Sequence, residues 1–106
     1  MDKKHRGALS ELHAVAWLLE QGYEVFRNVS QHGPADIIAV NFDTGERLFI
    51  DVKSAVLSSY CLADGNKITV ERGNSYNRRT DAQKQHGVKI LLVRRSGECF
   101  WAVEAS

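Results

Sequence analysis

The sequence predicts an α/β fold, a mixed β-sheet with helices packed on it. Three stretches predict it. Residues 4–21 repeat apolar side chains at helical spacing, residues 35–41 and 47–53 form two apolar strand sequences around a short turn, and Thr80-Asp81-Ala82-Gln83 is a capping box leading into the buried-strand sequence VKILLVR.

In the first stretch Ala8, Leu9, Leu12, Val15, Ala16, Leu18 and Leu19 fill one broad arc at about 100° per residue, and Gly22 follows as a stop signal. Glu11 falls at the margin of that arc, so its carboxylate is expected to face the sheet or its edge. Trp17 falls on the opposite side, where an exposed aromatic would either mark a subunit contact or pack on its own helix. Tyr23 to Val29 alternates enough to be the first strand. The loop Ser30-Gln31-His32-Gly33-Pro34 then feeds Asp36.

The next two strands are expected to pair through the turn at Asp43-Thr44-Gly45-Glu46. Strand side chains alternate in direction, so Asp51 and Lys53 share one face while Ile50 and Val52 share the other. Antiparallel pairing brings Asp36, at the start of one strand, beside Asp51, near the end of its partner. Two carboxylates about 4 Å apart repel by about 4 kcal/mol at an effective dielectric near 20. A hard divalent cation such as Mg2+ offsets that repulsion directly. The plainer reading of Asp51 and Lys53 alone is a solvated ion pair on an edge strand.

Beyond Lys53, residues 54–77 are rich in Ser, Gly and Asn, with Ala63-Asp64-Gly65-Asn66 as a hairpin turn and Lys67 to Glu71 as a short strand: a hairpin or flap beside the acidic strand. Tyr60 and Tyr76 in it are of the type that stacks on or hydrogen-bonds nucleic acid, and equally of the type that packs locally. Thr80 and Gln83 cap a short helix that Gly87 ends, and Arg78 and Arg79 precede it, so a helix start and two guanidinium groups converge where a phosphate would sit. Val88 to Arg94 and Cys99 to Val103 read as the last two strands. Residues 67–95 hold eight bases against two acids, Glu71 and Asp81, which leaves the remainder of this +1 chain at −5. One face is thus suited to a polyanion and another to an acidic, metal-binding site.

At 106 residues one domain spanning 1–106 is expected. No apolar run approaches a membrane span and no secretory leader is read, so a cytoplasmic protein without a membrane partner is expected, with Cys61 and Cys99 free rather than bridged. No glycine-rich phosphate loop follows any strand, which disfavours a nucleotide-binding enzyme.

Asp36 after a Gly-Pro turn, then Asp51-Val52-Lys53 on the following strand, with Glu11 on the preceding helix, resembles the PD-(D/E)XK nuclease superfamily; Ala35 separates Pro34 from Asp36 here. Arg27, Ser30 and Gly33 ahead of the first acid look similar to the archaeal-type Holliday junction resolvases of that superfamily, and the run from Arg78 to Val93 to its small phage- and intron-encoded endonucleases. The order of elements matches the restriction-endonuclease-like αβββαβ plan with one further strand. The resemblance implies an endonuclease hydrolysing DNA phosphodiesters with Mg2+, for which Mn2+ would substitute. Asp36, Asp51 and the Val52 carbonyl would hold the metal, with Glu11 completing the site. Lys53 would position water or stabilise charge on the phosphate, and Ser30 would contact the scissile phosphate. Arg78, Arg79, Lys84 and His32 would bind DNA, and a lone loop histidine such as His32 is otherwise simply solvated. A homodimer acting on branched DNA is the first expectation. A sequence-specific homing or restriction-like endonuclease and a noncatalytic DNA-binding subunit are the alternatives.

Overall fold

The computed structural model describes residues 2–30, 32–61, 63–72 and 79–102. Its elements run α1 (Lys3–Glu20), β1 (Glu24–Arg27), β2 (Ile37–Val40), β3 (Arg47–Ser54), β4 (Val56–Cys61), β5 (Lys67–Arg72), α2 (Asp81–Gln85), β6 (Val88–Val93) and β7 (Cys99–Trp101). β1, β2, β3, β6 and β7 form one five-stranded sheet in that order, and β4 and β5 pair only with each other. All pairings in the larger sheet are antiparallel except that of the central strand β3 with β6, which is parallel. This is the mixed α/β architecture that the sequence predicts.

Local chemistry sets the boundaries. Asp2 caps α1, its carboxylate accepting the His5 amide at 2.8 Å. At the other end Tyr23 N–H bonds the Leu18 carbonyl and Gly22 N–H that of Leu19, a Schellman closure that requires Gly22 at φ 94°. Asn41 closes the β2–β3 turn by accepting the amides of Asp43 and Thr44, with Gly45 at φ 79°. In α2 both bonds of the capping box form: the Gln83 amide reaches Thr80 Oγ1 and the Thr80 amide reaches Gln83 Oε1.

The core lies between α1 and one face of the sheet, where Ala14 and Leu18 pack on Ile37, Ala39, Ile50, Leu91 and Val93. The buried stripe of α1 is Ser10, Ala14 and Leu18, narrower than the arc expected from the sequence. Leu12 and Leu19 are 57% and 53% exposed. Trp17, by contrast, turns inward and packs edge-on against Trp101 at 5.7 Å between ring centroids, which corrects its reading as an exposed contact residue. The inversion follows from the sheet sitting off the centre of the apolar arc. Ser10 is buried without penalty because its hydroxyl bonds that of Ser54 at 2.7 Å, tying the helix to the end of β3.

Both cysteines are free, Cys61 exposed and Cys99 buried. Among the described residues no helix is long and apolar enough to cross a membrane.

Candidate active site

Ile50 belongs to the face beneath α1, so Asp51 and Lys53 stand on the opposite face, the side on which α2 packs. Asp51 is 6% exposed, and the Asp36 carboxylate is close enough to raise its proton affinity. Lys53 Nζ lies 3.5 Å from Asp51 Oδ2. The same oxygen accepts the Gln83 side-chain amide at 3.1 Å. Asp36 is held in turn by the backbone: its Oδ2 accepts the Val52 amide at 2.9 Å, and its own amide donates to the Ile50 carbonyl at 2.8 Å.

Burial, and then the hydrogen bond that a protonated Asp51 would donate to Asp36, push the Asp51 carboxyl up to about 6; Lys53 and Gln83 act in the opposite direction without cancelling them. Between about pH 4 and 6 Asp51 therefore keeps a proton that the free side chain would lose, and a cation beside it would oppose that shift. The donors also fit one. Two carboxylates and the carbonyl of Val52, which leaves the strand on the same edge as the amide bonded to Asp36, form a hard oxygen set suited to Mg2+.

Glu11 stands apart from this pair. Its Oε1 accepts two bonds from Arg27, at 3.1 Å from Nε and 2.8 Å from Nη2, although Glu11 and Asp36 line one groove. Among the described residues, no three His, Cys, Asp or Glu side chains cluster in a way that could hold a metal ion. Ser30 and His32 belong to the loop that presents Asp36. Ser30 Oγ donates to Asn28 Oδ1 at 2.8 Å and accepts the His32 amide at 3.3 Å, while the His32 carbonyl accepts from Asn28 Nδ2. Arg79 directs a guanidinium nitrogen at the Val88 carbonyl, 3.4 Å away, and Lys84 is exposed on α2. Arg78 and Tyr76 lie outside the described residues.

Two residues that sequence reasoning did not assign to the site help to build it. Gln83 appears in the sequence only as a helix cap, yet its Nε2 bonds both Asp51 and the Pro34 carbonyl, at 3.1 and 3.0 Å, joining α2, β3 and the loop before Asp36. Asn28 organises that loop: besides its bonds to Ser30 and His32 it donates to the Ala35 carbonyl at 3.0 Å, and its backbone amide donates to the Asp36 carbonyl at 2.8 Å. An Asn two positions before a Ser in a turn-rich segment was the available signal.

Two grooves reach Asp36. One, of about 680 Å³, runs over Phe26, Ile38, Phe49 and His86 to Asp36. The other, of about 740 Å³, joins Lys3, Lys4, Gly7 and Ala8 of α1 to Glu11, Arg27 and Asp36.

No family model and no curated protein matches the sequence. The fold is similar to that of a solved bacterial homing endonuclease, I-Ssp6803I, with a TM-score of 0.55 at 13% sequence identity, over 100% of this chain and 81% of that one.

Proposed function

We propose that this protein is a Mg2+-dependent endonuclease that hydrolyses DNA phosphodiester bonds. The observation that carries the reading is the placing of Asp36, bonded through Oδ2 to the Val52 amide, beside the buried Asp51, with Lys53 Nζ 3.5 Å from Asp51. A buried carboxylate beside a second acid is costly to a fold, and a structural role gives no reason to keep it. Asp36, Asp51 and the Val52 carbonyl are the residues that would hold the metal. When bound, Mg2+ supplies Lewis acidity toward a phosphoryl oxygen and acidifies an attacking water.

The protein's own groups do the remaining work. Gln83 and Lys53 together fix Asp51 Oδ2, and the Val52 amide fixes Asp36 Oδ2, so both carboxylates are oriented before substrate arrives. Lys53 is half-exposed beside them, where its ammonium would meet charge developing on the phosphate. Arg79 and Lys84, on the α2 side, would contact the backbone.

Duplex DNA is favoured as the substrate by one specific observation, the likeness in fold to a homing endonuclease. The β4–β5 hairpin, paired outside the main sheet, is also of the two-stranded form that a major groove admits. A branched junction cut by a homodimer is the second reading, supported by the arrangement of Arg27, Ser30 and Gly33 ahead of Asp36.

Purified protein incubated with Mg2+ or Mn2+ and a labelled duplex, a four-way junction and a single strand of matched content tests both readings. Cutting of the duplex at a defined site, lost in Asp51→Asn, supports the first. Cutting confined to the junction supports the second. Binding without cleavage under either metal would overturn the catalytic reading and leave a DNA-binding subunit.

A further inference from the structure

The basic groove beside Asp36 has a floor that needs explaining. Lys4, Gly7, Ala8 and Glu11 follow one another at i, i+3, i+4 and i+7 and so lie on one stripe of α1, with Lys3 one turn before Gly7. One turn further on, Ser10 and Ala14 are buried against the sheet. At Gly7 the helix has run past the sheet, and a Cβ placed there would meet nothing within 4 Å. Glycine is a poor residue for a helix interior, and here neither a close approach nor a left-handed backbone calls for it. A bare floor in an open groove is useful when something must lie against the helix.

The charges identify what would lie there. Arg27 is committed to Glu11, whereas Lys3 and Lys4 are exposed and make no ion pair among the described residues. Two unopposed ammonium groups therefore stand at one end of the groove and Asp36 at the other. From Lys3 to Glu11 the helix advances about 12 Å, the axial length of roughly three to four nucleotides of one strand.

We propose that this groove carries the DNA backbone away from the carboxylate pair, with Lys3 and Lys4 on its phosphates and Gly7 bare so that the sugar-phosphate chain rests against α1. This rests on the endonuclease reading and assigns it a second binding surface, across the sheet from α2. The sequence alone did not point there, because its basic excess is concentrated in residues 67–95.

Binding of a fluorescein-labelled DNA duplex, followed by anisotropy in EDTA from about 50 to 200 mM salt, tests the proposal. Lys3→Ala/Lys4→Ala should make the plot of log affinity against log salt shallower by about 1.8, the contribution of two phosphate contacts. Arg47→Ala, at the far end of the β2–β3 hairpin, should leave the slope unchanged. Gly7→Gln places a good helix former with a long neutral side chain in the groove. Its melting temperature should be at or above that of the parent, while its affinity falls roughly tenfold, the scale of losing one or two phosphate contacts. An unaltered slope in the lysine variant would overturn the proposal, and so would parental affinity in a folded Gly7→Gln. The lysine variant leaves the helix backbone untouched and decides the matter even if Gly7→Gln does not fold. Parental cleavage of DNA alongside either result would leave the endonuclease reading standing. Absence of DNA binding by the parent protein would remove both.

Discussion

Gln83 donates its side-chain amide to Asp51 Oδ2 at 3.1 Å, across 32 positions of sequence, while its own Oε1 accepts the Thr80 amide. One residue thus caps α2 and orients a carboxylate of the candidate active site. The two roles are separable. Thr80→Ala removes only the cap, for a loss of about 1 kcal/mol in denaturant unfolding. Gln83→Met also strips the buried Asp51 of a donor, which should raise the loss to roughly 2 to 3 kcal/mol. DNA cleavage should fall further in Gln83→Met than in Thr80→Ala when both are assayed well below their melting temperatures. Equal losses of activity would reduce Gln83 to a cap.

The pH dependence of stability follows from Asp51. Its carboxyl, raised from 3.8 to about 6, binds more protons in the folded than in the unfolded protein between those values. Stability in metal-free buffer should therefore rise as the pH falls from about 6 toward 4, and this contribution saturates below that range. Raising the carboxyl from 3.8 to about 6 corresponds to roughly 3 kcal/mol against the ionised fold at neutral pH. Asp51→Asn removes that penalty and keeps an oxygen for Gln83. It should be more stable than the parent near pH 7.5, with the difference closing by about pH 4.5. A variant less stable than the parent at both pH values would mean that the ion pair to Lys53 outweighs the desolvation of Asp51.

Much of this arrangement was legible in the sequence, and the failures have physical causes. Strand alternation alone put Asp51 and Lys53 on one face, and the turn between β2 and β3 placed Asp36 beside Asp51, because both inferences depend on local geometry. The Thr80 cap was legible for the same reason. The reach of Gln83 back to Asp51 and Pro34 was not, because it depends on how α2 packs across the sheet. The face of α1 was read too broadly: periodicity gives an arc, but only the position of the sheet selects Trp17 over Leu12 and Leu19. The same limit applies to Glu11, whose position on the helix was readable while its partner Arg27 was not.

Ser30 and Asn28 separate a loop role from a chemical one. Because the Ser30 hydroxyl is bonded to Asn28, Ser30→Ala should cost less than about 1 kcal/mol and leave cleavage largely intact. Asn28→Ala removes bonds to Ser30, His32 and Ala35 together and should cost roughly 1 to 3 kcal/mol, with weaker binding of Mg2+ through a loosened Asp36. Chemical denaturation and calorimetric titration of Mg2+ measure these effects. A large loss of cleavage in Ser30→Ala without loss of stability would instead put that hydroxyl on the phosphate.

Metal binding is testable without any substrate. A cation held by Asp36 and Asp51 binds the folded state alone, so Mg2+ at about 100 times its dissociation constant should stabilise the protein by about 2.7 kcal/mol. It does so by offsetting the burial and the neighbouring Asp36 that disfavour ionised Asp51, so the gain should be largest at neutral pH and should vanish as Asp51 protonates below its raised value of about 6. Neither Asp36→Asn nor Asp51→Asn should respond to the metal, whereas Glu11→Gln should respond like the parent, because the Glu11 carboxylate is engaged by Arg27. Thermal melts of the four proteins with and without Mg2+ provide the measurement. Loss of the response in Glu11→Gln would mean that the carboxylate leaves Arg27 to join the metal. Persistence of the response in both aspartate variants would place the cation elsewhere in the molecule.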